Sequence, residues 1–270
     1  MNTTKTVKEA QLVSILGTGW IGLALAESLR NNGKRVKCSA SDGFKLKLLV
    51  DKGHEAFVYN PLEPMSDEVR NIIQDSDILV ITYPPAIFSR FLAQLDSKVI
   101  FPNTIYLSST SVYPEKSGVY TEEMAENRIS AHSGIDLLEI ENQLKKAIDQ
   151  KLTILRLAGL FGPGRSPGRF IDAANLLTKP DAPVNMVHRE DVIRVIEKVI
   201  TKGMFGRCFN VCAPIHPTRL DFYTKAVWLD KKLNIRPAEN TGIFRVISSE
   251  KLMHELNYSF IHENPLNAIE

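Results

Sequence analysis

The chain has 270 residues, a length that suits one large domain or two lobes sharing a core. Its apolar fraction of 44% and charged fraction of 24% are ordinary for a globular protein. The net charge is only +2, with Lys and Arg spread along the sequence. Composition therefore excludes a partner recruited mainly by charge, such as nucleic acid or an anionic membrane surface.

Hydropathy and cysteine content predict a cytoplasmic protein. No apolar run approaches the roughly 20 residues that span a bilayer, and the first residues lack a signal-peptide pattern. Cys38, Cys208 and Cys212 are odd in number and lie in strand-like segments, as reduced core cysteines do. The six histidines are scattered, without an HExxH or CxxC motif, so the sequence predicts no metal site.

The first half of the chain alternates predicted strands and helices. Apolar strands are expected at 12–17, 35–40, 55–60, 77–85 and 104–110, with helices at 21–31, 44–52, 66–74 and 88–95. Strands that are apolar throughout and separated by helices indicate a parallel sheet covered on both faces. The predicted fold class is α/β, a doubly wound, Rossmann-like parallel sheet.

The second half is expected to add a small C-terminal substrate lobe. It holds predicted strands at 151–159 and 207–213, helices at 189–202 and 220–233, a last strand (FRVIS) and a last helix (SEKLMHEL). FGPGRSPGRF (161–170) is rich in Gly and Pro and is typical of a loop. We expect a dinucleotide-binding domain over 1–160, rejoined by the strand at 207–213, and a substrate lobe over 161–270.

The segment GTGWIG follows the first strand directly and opens a helix. In a dinucleotide-binding loop the first glycine permits a tight turn, the second lets the backbone approach a pyrophosphate, and the third lets the helix pack on the strand. The helix N-terminus then faces the phosphates. The alternative is a tight turn between strand and helix that needs glycine only for its backbone geometry. For Trp20, packing is a simpler role than cofactor binding. The candidate cofactor-binding residues of this loop are Gly17, Thr18, Gly19, Trp20, Ile21 and Gly22.

The end of the second strand bears on the choice between NAD and NADP. An acidic residue there binds the ribose 2′-hydroxyl of NAD, and a basic one accommodates the phosphate of NADP. Ala40 stands where that acid is expected, and Asp42 follows in the loop. Ser39, Ser41 and Lys45 can bind a phosphate, although Asp42 opposes it and Lys45 also suits a solvated helix position. The cofactor is expected to be NAD(P), with a preference for NADP.

A family resemblance becomes specific at LSSTSVYP (107–114). Together with GTGWIG, ILRLAGLFGPGR (154–165), VNMVHREDV (184–192) and FNVCAPIHPTRLDFY (209–223), it resembles the extended short-chain dehydrogenase/reductase superfamily, the NAD-dependent epimerases and dehydratases. The match runs in order over nearly the whole chain and is similar to a branch of uncharacterised bacterial epimerase-like proteins. The resemblance implies an NAD(P)-dependent oxidoreductase or epimerase and a homodimer packed through the helix at about 136–147.

The resemblance also implies a catalytic trio, of which only one member is found. Registering on Val112-Tyr113 places the hydroxyl that holds the substrate oxygen at Ser109, with Thr110 beside it. The family's acid/base Tyr and its Lys correspond to Ser133 and Leu137, or in a shifted register to Ala131 and Ile135. A phenol needs a nearby cation to transfer protons at neutral pH, so the usual mechanism cannot be carried over. Ser133 and Asp136 instead suit a helix start, with an apolar face of Ile135, Leu138, Leu144 and Ile148.

The remaining candidates lie beyond the carboxyl ends of strands, where open α/β sheets bind ligands. Tyr83, Pro84 and Ser108 are candidate cofactor contacts, and Tyr113 is a candidate substrate contact that also suits a structural role. Arg165 and Arg169 can clamp a carboxylate or phosphate, or can be solvated loop residues. His188 is a candidate proton donor, against the alternative of a hydrogen-bonded structural histidine. The function is either that of an NAD(P)-dependent enzyme acting on a small polar metabolite with a non-standard proton donor, or that of a non-catalytic NAD(P) sensor.

Overall fold

A computed structural model describes residues 11–95, 99–129, 135–171, 176–232, 234–238 and 243–270. The described chain forms two compact units, one within residues 1–105 and one within 106–270. The division into a dinucleotide-binding domain over 1–160 and a substrate lobe over 161–270 concerns function rather than compactness, and it stays a prediction. None of the helices in these ranges combines the length and apolar character needed to cross a bilayer.

The first unit is a parallel α/β array. It contains the strands β1 (Leu12–Leu16), β2 (Arg35–Ala40), β3 (Glu55–Val58) and β4 (Ile78–Ile81), and the helices α1 (Trp20–Asn31), α2 (Gly43–Asp51), α3 (Asp67–Gln74) and α4 (Pro85–Leu92). β1 pairs in parallel with β2 on one side and with β4 on the other, and β2 pairs in parallel with β3. All four residues of β4 are buried, as expected for a strand covered on both faces.

The chain passes from the first unit to the second within β5 (Asn103–Ser109). The second unit continues with the strands β6 (Gly118–Tyr120), β7 (Leu152–Leu157), β8 (Gly159–Phe161), β9 (Leu176–Leu177), β10 (Met186–His188), β11 (Cys208–Val211), β12 (Arg236–Pro237) and β13 (Arg245–Ile247). Its helices are α5 (Leu137–Ile148), α6 (Arg189–Lys202), α7 (Arg219–Lys231) and α8 (Glu250–Leu256).

Seven strands form one sheet in the order β3-β2-β1-β4-β5-β7-β11. This is the order of a doubly wound fold, which reverses direction at the switch point between β1 and β4. The predicted Rossmann-like α/β fold class is therefore confirmed. β11, from the predicted strand at 207–213, pairs in parallel with β7. The remaining short strands form the pairs β8–β10, β9–β12 and β6–β13.

Local sequence signals explain where most helices begin and end. Ser66 caps α3 by accepting a hydrogen bond from the Val69 amide at 3.3 Å, and Gly203 ends α6 in the left-handed conformation. A 3-10 turn over Pro167–Phe170 occupies part of the predicted 161–170 loop. That turn packs closely on α7, because a Cβ on Gly168 would stand 2.7 Å from the Ala226 carbonyl oxygen.

The predicted helix start and apolar face at α5 differ from the structure. Asp136 is the cap, accepting from the Leu138 and Glu139 amides at 3.1 Å, while Ser133 and Ala131 lie outside the described residues. Ile135 and Leu138 are only half-buried, and the buried face consists of Leu137, Ile140, Glu141, Leu144 and Ile148. Leu144 and Ile148 are buried as predicted, but Ile135 and Leu138 are not, because the helix begins after Asp136 and Leu137 turns toward the core.

The homodimer through α5 stays a prediction. The residues that α5 exposes are almost all polar, namely Glu139, Gln143, Lys145, Lys146 and Ala147. Such a face lacks the apolar surface that a helix-packed dimer buries.

Candidate functional site

The three glycines of the GTGWIG loop differ in what a side chain at each position would meet. Gly17 has φ +98°, and a Cβ there would stand 2.7 Å from Thr82 Oγ1. A Cβ on Gly22 would collide with the Gly17 carbonyl oxygen, so α1 packs directly against the turn. Apart from its chain neighbours, no described residue has an atom within 4 Å of a Cβ built on Gly19. Gly17 and Gly22 are thus required by packing, whereas Gly19 leaves open space where a pyrophosphate would approach.

The ends of β2 and β4 brace this loop. The Gly17 amide donates to Ser39 Oγ at 2.8 Å, and the Thr18 hydroxyl donates to the Ser39 carbonyl oxygen. The Thr82 hydroxyl donates to the Gly17 carbonyl oxygen. Ser39 is buried, and its contacts fix the loop, which favours a supporting role over direct phosphate binding. Sequence reasoning missed Thr82, because a Thr at the end of a buried strand carries no distinctive signal.

The N-terminus of α1 is open to an anion. Its cap is Gly19, which has no side chain to accept a hydrogen bond, and the first turn holds no acidic residue. The first amides of a helix have no intrahelical acceptors and carry the positive end of the dipole. Negative charge placed at this loop would therefore be stabilised.

At the end of β2, the polar side chains bond to each other. Asp42 caps α2 by accepting from the Lys45 amide at 2.8 Å, and Ser41 Oγ donates to Asp42 at 2.9 Å. The bond from the Lys45 amide, followed by that from Ser41, lowers the pKa of Asp42. Asp42 is exposed, and each of its carboxylate oxygens accepts one of these bonds, so its main contacts in this conformation are to Ser41 and the start of α2.

The buried ring of Tyr83 packs beside the glycine loop. Its ring lies 3.1 Å from the position of a Cβ on Gly17 and packs against Phe91 at a centroid distance of 6.3 Å. Burial raises the pKa of Tyr83 to about 12, with Ser39 close enough to oppose that rise, and its hydroxyl has no well-formed hydrogen bond to any described residue. A pKa this far above neutral makes the phenol a weak acid for proton transfer. Pro84, the next residue, caps α4.

Three hydroxyl side chains follow one another at the end of β5 in the second unit. Ser108 is buried and donates to Glu141 Oε1 at 2.6 Å, so its hydroxyl is engaged inside the protein. Ser109 is half-buried; its Oγ accepts from the Ser111 amide at 3.2 Å and donates to Ser111 Oγ at 3.1 Å. Thr110 is buried. Ser109 is therefore more accessible than Ser108 and Thr110, and its hydroxyl is bonded to the half-buried Ser111, the hydroxyl residue after Thr110.

Tyr113 lies in a buried polar network rather than at a surface. Its hydroxyl donates to Asn210 Oδ1 at 2.6 Å and accepts from Arg156 Nη1 at 2.9 Å. Arg156 Nη2 also donates to Glu141 Oε2 at 2.7 Å. Tyr113 has no exposed surface, and burial raises its pKa well above the ordinary value. These contacts favour the structural role of Tyr113 over substrate contact.

The structure brings Arg169 and His188 to one cavity in the second unit. The cavity measures about 590 Å³ and opens beyond the carboxyl ends of β8 and β10, where Phe161 pairs with His188. Arg165 Nε is buried, and its guanidinium packs over the Phe170 ring at 5.7 Å from the centroid. Ser109 is not among the residues lining this cavity. Its lining is Phe161, Gly162, Pro163, Gly164, Ser166, Pro167, Arg169, His188, Asp230, Ala268, Ile269 and Glu270.

His262 and Glu190, which sequence reasoning missed, lie beside His188. Its ring meets that of His262 at a centroid distance of 3.9 Å, and His262 Nε2 lies 3.2 Å from Glu190 Oε2. Asp191 places His262 by accepting from the His262 and Ile261 amides. Because His262 follows His188 by 74 positions, no local sequence pattern joins them.

His188, Glu190 and His262 form a cluster whose potential metal-ligand atoms lie within 4.8 Å of one another. The sequence predicts no metal site. His188 Nδ1 accepts from the Glu190 amide at 3.3 Å, and the Glu190 carboxylate faces His262. Hydrogen bonds among its own residues thus hold this cluster together.

Comparison with known proteins decides the family. The chain is 32% identical to protein YeeZ of Escherichia coli K12 over 275 residues, covering 94% of this chain and 97% of YeeZ. The chain belongs to the YeeZ family. No family model matches it.

The fold of this YeeZ-family chain is that of the extended short-chain dehydrogenase/reductases, as its motifs predict. It superimposes on the dTDP-glucose 4,6-dehydratase of Bacillus anthracis in complex with NAD with a TM-score of 0.72 and 17% identity, covering 96% of this chain and 95% of that one. It also resembles the UDP-N-acetylglucosamine 4-epimerase of Bacillus cereus, with a TM-score of 0.72, 17% identity and coverage of 97% and 94%. At these identities the likeness shows the fold alone.

The Lys position that the sequence resemblance implies is occupied by an apolar residue in this YeeZ-family chain. Registered on Glu141, it falls at Leu137, which is buried at the start of α5. Ser133, at the Tyr position, lies outside the described residues. Leu137 and Glu141 share the inward face of the helix, so this face is used for packing and for the Arg156 network.

Proposed function

We propose that the protein binds NAD or NADP at the loop Gly17–Gly22 and acts on a small polar metabolite as an oxidoreductase or epimerase. The observation that carries this proposal is the loop itself. Two of its glycines are required by packing, the third leaves open space, and the helix behind it begins without an acid or a side-chain cap. A turn built for geometry alone has no need of the open space at Gly19.

The cofactor preference is proposed to be NADP. Ala40 is buried and offers no carboxylate, and Asp42 is engaged in capping α2. Lys45 is half-buried one turn into α2, and no ion pair of Lys45 with a described residue is found. Its ammonium group and the exposed Ser41 are the groups proposed to meet a 2′-phosphate.

Bound nicotinamide would supply the hydride chemistry, and the protein must supply the proton transfer. We propose Ser109 as the hydroxyl that holds the substrate oxygen, since it is more accessible than Ser108 and Thr110. Thr110 supports that position. His188 lines a cavity that Ser109 does not line, and it is proposed to bind the substrate through its ring N–H, which leaves water as the proposed proton donor. Tyr83 and Tyr113 are poor donors because burial raises the pKa of each.

A second candidate is a dinucleotide sensor without turnover. The buried Leu137 at the Lys position favours it, because no ammonium group stands there to lower the pKa of a phenol. The sensor and the enzyme share the cofactor loop and differ only in whether bound nucleotide is consumed.

Calorimetric titration with NADPH and NADH tests nucleotide binding, which the enzyme and the sensor share. We expect micromolar binding of one nucleotide, and weaker binding by Gly19→Ala, whose Cβ would enter the open space. Glu27→Ala, on the exposed part of the same helix, is the matched control and should bind normally. Thermal unfolding should show both variants to be folded. Absence of nucleotide binding by the unaltered protein would overturn both candidates, and consumption of bound NADPH with a metabolite would decide for the enzyme.

A further inference from the structure

The cavity beyond β8 and β10 is lined by hydrogen-bond donors for which the described residues provide no partner. Ser166 Oγ is buried without a hydrogen bond to any described residue. Arg169 is exposed and forms neither an ion pair nor a hydrogen bond within the described ranges, and its charge is close enough to lower the pKa of the half-buried Arg165, after the effect of burial. A buried donor such as Ser166 Oγ normally has a partner, because burying it unpaired is unfavourable.

The third donor is His188, whose tautomer is fixed by its position as the cap of α6. Its Nδ1 accepts from the Glu190 amide at 3.3 Å. A backbone amide can only donate, so Nδ1 keeps its lone pair and the ring proton lies on Nε2. Burial, followed by the nearby His262, lowers the pKa of His188, which keeps the ring neutral near pH 7. His188 is therefore a fixed donor through Nε2.

Nε2 of His188 lies beside Gly162 at the border of the cavity. A Cβ on Gly162 would stand 2.9 Å from His188 Nε2, and Gly162 itself lines the cavity. Gly162 has φ +140°, and its amide and carbonyl pair with Arg165 across a tight turn. Ser166 and Arg169 follow this turn in the chain and line the same cavity as His188.

We propose that this cavity binds an oxyanion, a carboxylate or a phosphate, through His188 Nε2, Ser166 Oγ and the Arg169 guanidinium. Two neutral donors and a cation match the acceptor oxygens and the charge of such a group. The inference names the substrate class of the proposed function and to that extent rests on it.

The acidic residues of the cavity limit the ligand further. Asp230 lines it from α7, close to the backbone of Gly168, and Glu270 also lines it. Their carboxylates repel a second anionic group and accept hydrogen bonds from hydroxyls. The fitting ligand is therefore a small acid or phosphate ester that carries hydroxyl groups.

The test follows the His188 ring directly by nitrogen NMR on protein labelled at histidine. The His188 signals are assigned by their loss in His188→Asn. Glycerate and glycerol phosphate are the two probes, the first a hydroxylated carboxylate and the second a hydroxylated phosphate. We expect at least one probe to shift the Nε2 signal in a saturable manner, and the one that does so identifies the anion.

Matched variants separate this site from general electrostatics. Arg169→Ala and Ser166→Ala should weaken probe binding about tenfold, as loss of a charge-assisted or buried hydrogen bond does. Arg207→Ala removes an exposed arginine outside the cavity and should leave probe binding unchanged. Asp230→Asn should tighten it. A saturable shift that Arg169→Ala leaves unchanged would overturn the proposal, as would the absence of any shift with either probe.

The same samples keep this inference separate from the cofactor proposal. NADPH binding is measured on each variant by calorimetry, because its proposed loop lies in the first unit. Retained NADPH binding without a response of His188 sinks the oxyanion site alone. A response of His188 without NADPH binding supports the oxyanion site and sinks the cofactor proposal.

Discussion

Glu141 and Arg156 form an ion pair in which both side chains are buried, with Arg156 Nη2 2.7 Å from Glu141 Oε2. Burial by itself would lower the pKa of Arg156, but the hydrogen bonds and charge of Glu141 raise it above its ordinary value. The same carboxylate accepts from Ser108, and Arg156 donates to Tyr113. The pair thus joins α5, β7 and the end of β5 within the second unit.

Removing one partner of this pair should be strongly destabilising. Arg156→Met leaves the Glu141 carboxylate buried without its cation, which typically costs about 3–5 kcal/mol. Denaturant unfolding measures the loss. Arg35→Ala is the control, since Arg35 forms an exposed pair with Glu55 at 3.8 Å, and its loss should cost no more than about 1 kcal/mol. Equal effects of the two substitutions would contradict the importance assigned to the buried pair.

Long regular elements of this chain were predictable from sequence because their signals are local. The strand-like segment RVKCSA at β2 and the glycine that ends α6 indicate the bounds of these elements without tertiary information. The glycine loop was predictable for the same reason, since strand, glycines and helix are adjacent. The bracing by Thr82 and the meeting of His188 with His262 depend on residues far apart in the chain. No periodicity or motif encodes such contacts.

Tyr113 and Tyr83 provide a matched pair of tyrosine substitutions. Tyr113→Phe leaves Asn210 Oδ1 and Arg156 Nη1 each without one partner, so we expect a loss of about 1–3 kcal/mol in unfolding free energy. Tyr83→Phe removes a hydroxyl that has no well-formed hydrogen bond among the described residues, so its cost should be close to zero. Denaturant unfolding of both variants checks the order. A larger loss at Tyr83 would show that its hydroxyl has a stabilising role.

Lys45 should discriminate between the two cofactors. If its ammonium group meets the 2′-phosphate of NADP, Lys45→Ala should weaken NADPH binding about tenfold and leave NADH binding unchanged, because NADH lacks that phosphate. Lys47→Ala is the matched control, being an exposed lysine on the same helix. Calorimetry with both nucleotides gives the ratio. Equal weakening of NADPH and NADH binding would remove the basis for preferring NADP.

Glu122 should make the protein less stable as the pH rises. Its side chain is buried, with Oε1 accepting from the Asn210 amide at 2.7 Å, and burial raises its pKa above the ordinary value of 4.5. Ionisation therefore costs more in the folded than in the unfolded state. The folded state has no penalty below pH 4.5 and acquires one as the pH rises through the raised pKa.

Glu122→Gln removes this titration but keeps a carbonyl oxygen able to accept from the Asn210 amide. We expect the variant to be at least as stable as the unaltered protein at neutral pH, with a flatter dependence of unfolding free energy on pH above 4.5. Glu123→Gln is the neighbouring control, because hydrogen bonding to its own backbone amide lowers the pKa of Glu123. Its ionised form is favoured by folding, so that variant should lose a little stability above pH 4.5. Denaturant unfolding from pH 4 to pH 8 separates the two signs, and a steeper profile for Glu122→Gln would contradict the assignment of Glu122 as a buried acid destabilised by its charge.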